Sequence, residues 1–182
     1  VPYAFCDNVR ETELINNVSH YQTFLRSGID ELTKVANYAK FCEYLNQEWR
    51  RMSRYNKHLS LILCAIDFNK ISSNLEKQIL PKMAKIIENS IFRPGDFIAR
   101  YRYREFAVLL PNTNLEGAIA VKQRIDLSLL NLVLENEEQI FNKYGQLRLG
   151  IATLIPAAQM TYDLLILKAE QSLAKTMKEQ YI

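Results

Sequence analysis

"RPGDFIARYRYREFAVLLP", residues 93–111, decides how this chain is read. "FIARY" at 97–101 and "EFAVLLP" at 105–111 are apolar, strand-like runs, so the segment predicts a hairpin whose turn falls on Arg102, Tyr103 and Arg104. Tight hairpin turns need positive φ, which Gly, Asn and Asp tolerate and these residues do not. In one uninterrupted strand, Arg100, Arg102 and Arg104 would share a face with Phe106, Val108 and Leu110. A break near 102–104 is therefore expected to separate the cationic set from the core set, with Arg102 and Tyr103 turned toward the site this hairpin borders.

Working outward, "LSLILCAIDF" at 59–68 is an almost continuous apolar run, as in a strand buried on both faces. Helical spacing appears upstream in Phe41, Leu45 and Trp49, within a helix expected from about Ala36 to Asn56. Ile79, Met83, Ile86, Ile87 and Ile91 mark a helix over 75–92, with Pro81 expected in its first turns, where proline is tolerated. Further helices are read at 115–134 and 162–178, and a strand, "LRLGIATLI", at 147–155. Leu14, Ile15, Val18, Tyr21 and Leu25 form a short amphipathic arm over 10–25, closed by Gly28. The order predicts an α+β fold: a central, antiparallel-rich sheet flanked by helices, preceded by a helical arm at residues 1–29.

The chain has 182 residues, 48% hydrophobic and 24% charged, which suits one globular domain with a sizeable core. A net charge of +3 is too mild to argue for nucleic acid by itself. Cys6, Cys42 and Cys64 lack metal or redox spacing and read as reduced thiols, which points to a cytoplasmic setting. No apolar run reaches the roughly 18 residues of a membrane span, and no leader pattern is visible. His20 and His58 stand far apart without neighbouring ligands, so no metal site is expected from them. The chain starts at Val1 rather than Met and reads as a piece of a longer protein.

From Asp30 to the end, the chain resembles a GGDEF domain, the fold of bacterial diguanylate cyclases. "DELTKVANYAKF" is similar to the entry motif D-x-L-T-G-L-x-N-R-x-x-F, with Lys34 for Gly and Tyr38 for Arg. "AIDFNK" resembles D-I-D-x-F-K, and residues 93–111 resemble R-x-x-D-x-x-x-R-Y-G-G-[DE]-E-F-A-V-L-L-P. "LRLGIA" and "AEQSLAKTMK" resemble the strand and helix that close the family's fold. The resemblance implies a nucleotide-cyclase palm-like sheet over residues 30–182.

The resemblance also implies where a cyclase site would lie, and there the pattern is degenerate. Arg102 and Tyr103 stand at the two glycines, where a Cβ removes the φ range and fills space kept for the nucleotide. Arg104 stands at a metal-holding acid and Ala65 at the other. A guanidinium cannot ligate a hard cation such as Mg²⁺, which takes oxygen donors. Met177 stands at the phosphate-holding lysine, and "SSNLEKQIL" at 72–80 replaces a longer nucleotide-binding segment. These positions imply a domain that is not an enzyme, has no catalytic residues and holds neither metal nor cofactor.

What survives is the spacing of Arg93 and Asp96, with Arg124 on the following helix. In the family, R-x-x-D and a further arginine form an inhibitory site for cyclic di-GMP. Arginine suits the O6/N7 edge of guanine, and a carboxylate accepts from guanine N1–H and N2–H₂. The same residues read as a surface ion pair beside a Pro-Gly turn are unremarkable. Two functions follow as expectations. One is an inactive signalling domain that receives cyclic di-GMP as a regulatory ligand through Arg93, Asp96 and Arg124. The other is a nucleotide-independent interaction or dimerisation module that relays a signal from an upstream sensory domain, with the arm packing on its own domain or on a second copy. The Arg/Tyr alternation at 100–104 offers charge and stacking to single strands, but Arg100 and Tyr101 already match the family, so no nucleic-acid partner is expected.

Overall fold

The structure, a computed structural model, describes residues 27–68, 72–134 and 145–178. The arm expected over 10–25 lies outside them; Gly28, expected to close it, has φ 68.

Helix α1 spans Tyr38–Tyr55. Its entry is built by short polar side chains. The Asp30 carboxylate accepts from the Thr33 amide at 2.9 Å and from its hydroxyl at 2.5 Å, and Asn37 caps the helix by accepting from the Lys40 amide at 3.0 Å. Ala36, expected inside the helix, lies outside because its carbonyl accepts from the Arg100 amide at 2.7 Å and it bridges Ala99 in parallel. Asn56 ends α1 in the left-handed region, which Asn tolerates better than most residues.

Strand β1 spans Leu59–Phe68 and helix α2 spans Ser73–Asn89. The helix starts earlier than the apolar spacing indicates because the Ser72 hydroxyl caps it, accepting from the Leu75 amide at 3.3 Å. Pro81 consequently sits in the helix interior rather than in its first turns. It supplies no N–H to the Lys77 carbonyl, a local cost that the buried Ile79, Leu80, Met83 and Ile87 outweigh. The helix stops at Asn89 rather than 92, where the Ser90 hydroxyl donates back to the Ile86 carbonyl at 2.8 Å.

Strands β2 (Phe97–Arg102) and β3 (Glu105–Pro111) form the hairpin; α3 (Leu115–Leu134), β4 (Gly145–Leu154) and α4 (Tyr162–Lys178) complete the fold. The sheet order is β2-β3-β1-β4, and each of its neighbouring pairs is antiparallel. This is the α+β architecture that the sequence predicts.

The central strand explains its own composition. Leu59, Leu61, Leu63 and Ala65 face α1 and α4, while Ile62, Cys64 and Ile66 face α2 and α3. Both faces are covered, so alternation gives way to continuous hydrophobicity. Each of these leucines contributes roughly 1.5–3 kcal/mol through burial. Ser60 is the polar exception, with its hydroxyl held by the Thr113 carbonyl at 2.7 Å and the Thr153 hydroxyl at 2.6 Å. Burial pushes the Cys64 thiol pKa up, so it behaves as a small apolar side chain. Gly150 lets β4 approach α4. A Cβ there would run into the Leu173 amide nitrogen and meet the Ala169 carbonyl at 2.6 Å.

Candidate functional site

The hairpin solves its turn without left-handed residues. Tyr103 and Arg104 alone form the loop, and neither has positive φ; the non-glycine residues that do, among those described, are Lys34, Asn56 and Asn112. The mismatch is absorbed in β2. Arg100 pairs with Phe106 but Arg102 pairs with Glu105, so the register shifts at Tyr101. Such a bulge turns successive side chains to new directions.

The expected separation of the arginines results, with different destinations. Arg100 is buried over the Phe106 ring at 5.1 Å, its Nε donating to the Arg102 carbonyl at 2.9 Å. Burial lowers its pKa, and its Nη1 has no partner among the described residues. Arg102 crosses to α4, donating to Glu170 at 2.5 Å and stacking on Tyr101 at 4.8 Å. The Tyr101 hydroxyl donates to the same carboxylate at 3.0 Å. Tyr103 is 67% exposed. The side chain that crosses to α2 is Arg104 rather than Arg102 or Tyr103.

Arg104 donates through Nε and Nη2 to the two Glu76 oxygens at 2.8 Å each. That hydrogen bonding, ahead of any other influence, raises the Arg104 pKa. Ala65, at the same end of the sheet, is buried between Glu105 and Arg148 in register. Asp67 is held by the Arg148 guanidinium through both oxygens. Met177 belongs to α4, but its side chain lies outside those described. A divalent cation does not fit this donor set. Of the carboxylates at hand, Glu76 and Asp67 are each forked by an arginine, and Glu105 meets the Arg102 guanidinium at 3.5 Å. No group of three or more His, Cys, Asp or Glu side chains able to hold a metal ion occurs among the described residues.

Arg93 and Asp96 lie on the loop between α2 and β2. The Asp96 carboxylate accepts from the Arg93 amide at 3.3 Å, and the Arg93 carbonyl accepts from the Asp96 amide at 2.9 Å. This turn keeps the Arg93 guanidinium off its neighbour, reaching the Thr113 hydroxyl at 3.4 Å. The surface ion pair is thus not what forms. Arg93 and Asp96 line an open cleft of about 450 Å³ together with Lys34, Glu88, Phe92 and Phe97. Desolvation raises the Asp96 pKa, partly opposed by the Arg93 amide and by the charges of Arg93 and Arg124. Arg124 on α3 donates to the Ser90 carbonyl at 3.0 Å and stacks over Phe92 at 4.7 Å. The three residues chosen from sequence therefore meet in one region, separate from Arg104 and Ala65. A larger cleft of about 720 Å³, between α4, β4 and the start of α3, contains none of them.

The family profile described as "Diguanylate cyclase, GGDEF domain" matches residues 27–181. The chain is a GGDEF domain. Diguanylate cyclase DgcP of Pseudomonas aeruginosa is 37% identical over 100 residues, covering 53% of this chain. This chain spans only 15% of that curated relative's length. The diguanylate cyclase SiaD of Pseudomonas aeruginosa, solved with its activator SiaC, superposes with a TM-score of 0.72 at 21% identity, over 96% of this chain and 71% of that one. The GGDEF domain of DgcB from Caulobacter crescentus, solved with c-di-GMP, gives 0.70 at 17% identity, over 85% and 89%. At those identities the structures establish the fold.

Sequence reading of this GGDEF domain missed the partners of its arginines. Glu76 falls on the apolar stripe of α2 with Ile79, Leu80, Met83 and Ile87 and is 3% exposed. A lone acid at a stripe position is itself the signal, since buried carboxylates require a partner. Glu170 carries no such signal. None of the described helices is long and apolar enough to cross a membrane.

Proposed function

We propose that this GGDEF domain has no diguanylate cyclase activity and serves as a cyclic di-GMP receptor within a longer cytoplasmic signalling protein. The inactivity rests on Arg104. Its guanidinium sits where the family places a metal-holding acid, and it is ion-paired with Glu76. Phosphoryl transfer in this family calls for metal ions to activate the attacking oxygen and neutralise charge. Ala65 has no ligand atom to offer, and Asp67 is engaged by Arg148.

The receptor role rests on one observation above the rest: Arg93 and Asp96 open into a single cleft with Arg124 beside it. Arg93 suits a guanine edge or a phosphate. Asp96 selects guanine, whose N1–H and N2–H₂ donate, over adenine, which offers no donor at either position. Arg124 adds a second cation toward the ligand phosphates.

Titration calorimetry with cyclic di-GMP and cyclic di-AMP tests the reading. Binding of the guanine dinucleotide is expected, with Arg93→Ala weakening it roughly tenfold or more through a lost charged hydrogen bond. Asp96→Ala is expected to erode the preference over cyclic di-AMP. No heat at high micromolar cyclic di-GMP, or binding indifferent to Arg93→Ala, would leave the nucleotide-independent interaction module as the better account.

A further inference from the structure

Two residues of the same cleft belong to no part of the Arg93–Asp96–Arg124 set. Phe92 is 71% exposed, although its neighbours Ile91 and Phe97 are tucked in. One side of its ring carries the Arg124 guanidinium at 4.7 Å. Lys34, on the loop before α1, also lines the cleft. Its φ is 63, a conformation unfavourable for any residue with a Cβ and the natural place for glycine. The Lys34 side chain is exposed and has no hydrogen-bond or ion-pair partner among the described residues. The Lys34 amide donates to the Asp30 carbonyl at 2.8 Å, but a left-handed residue at a cleft wall whose side chain engages nothing is a pointer to binding.

The cleft's charges support this. Lys34 and Arg93 balance Glu88 and Asp96 along the cleft, and Arg124 beside it, whose charge reaches Asp96, adds one further cation toward a ligand bearing two phosphates. A planar aromatic already stacked on a guanidinium is also a ready platform for a purine, since both present a flat polarisable face.

We propose that Phe92 and Lys34 are further ligand-contacting residues of this cleft, Phe92 stacking on a guanine base and Lys34 meeting a phosphate. This rests on the receptor reading and extends it to two positions that the arginine–aspartate spacing does not include. Phe92 supplies base contact without regard to hydrogen-bond pattern, so it contributes affinity while Asp96 contributes selectivity. Lys34 contributes a salt-sensitive, point-charge contact.

Equilibrium titration of the whole chain with cyclic di-GMP, at two salt concentrations, tests this with wild type, R93A, F92A, F92W and K34G. F92A is expected to weaken binding roughly tenfold, and F92W to restore it. K34G is expected to weaken binding severalfold and to reduce its salt dependence, with no fall in melting temperature because glycine suits that φ. F92A and K34G that bind like wild type, while R93A does not, would overturn this inference and leave the receptor reading standing. A wild type that fails to bind, or an R93A that binds equally well, would overturn both.

Discussion

Arg104 on the β2–β3 hairpin forks Glu76 in the first turn of α2, with both hydrogen bonds at 2.8 Å. The carboxylate side chain is 4% exposed and the guanidinium side chain 39% exposed, so the pair is asymmetric. Removing the arginine strands a buried charge. Removing the acid frees a cation that can reach water. Arg104→Ala is therefore expected to cost more than Glu76→Gln, about 1–3 kcal/mol against under about 1 kcal/mol, after allowing for solvent around the guanidinium. Urea unfolding of both variants and of the double mutant measures this. Equal effects, or a larger loss for Glu76→Gln, would contradict the asymmetry.

Arg104→Glu is expected to produce no cyclase. The new carboxylate would lie against Glu76, and Ala65 would still offer no oxygen. Like charges at that distance in a partly buried place should also lower the unfolding midpoint. Chromatography of GTP incubated with Mg²⁺ or Mn²⁺ and the variant checks the first point. Protein-dependent cyclic di-GMP from this single change would show that the metal-holding positions have been misassigned.

Asp96 gives a pH signature. Burial raises its carboxyl pKa above the ordinary 3.8, so the folded state holds this proton more tightly than the unfolded chain does. The sign follows from linkage: the folded protein binds this proton more tightly, so stability from this group is present at low pH and lost as pH rises through the raised value. Asp96→Asn should accordingly melt higher than wild type at neutral pH, with the difference vanishing toward and below pH 3.8. Calorimetric melting across that range reads it. A variant that melts lower at neutral pH would mean that the favourable charges of Arg93 and Arg124 outweigh burial.

Gly150→Ala is expected to disrupt packing severely. The added methyl would run into the α4 backbone at Leu173 and Ala169, which cannot rotate away as a side chain could. A loss of at least about 3 kcal/mol is expected, at the upper end of overpacking costs. Thermal unfolding of the variant, or its failure to accumulate as folded protein, is the measurement. A near-neutral effect would show that β4 and α4 can separate without penalty.

The ends of α3 and α4 and the whole of β1 were legible in the residues alone. Their signals are local: apolar spacing along one helix, or an unbroken apolar run that makes sense only with cover on both sides. The starts of α1 and α2 were less legible, because single polar atoms set them. The Ser72 hydroxyl moved the start of α2 upstream and so put Pro81 in its interior. The Ala36 carbonyl, drawn to Arg100, moved the start of α1 downstream.

The order and spacing of the motifs that this chain shares with the family also singled out Arg93, Asp96 and Arg124, as well as Ala65, Arg102, Tyr103, Arg104 and Met177. Sequence by itself determined which chemical groups this chain carries at those points, a cation at position 104 among them. Only the tertiary structure decided what each cation does. A one-residue register shift at Tyr101 sends Arg102 to Glu170 on one side of the sheet, while Arg104 reaches Glu76 on the other. Asp67 and Arg148 meet because β1 and β4 are paired. Charge pairing depends on which face a side chain leaves and what lies within a few ångströms in space, and no separation along the chain encodes either.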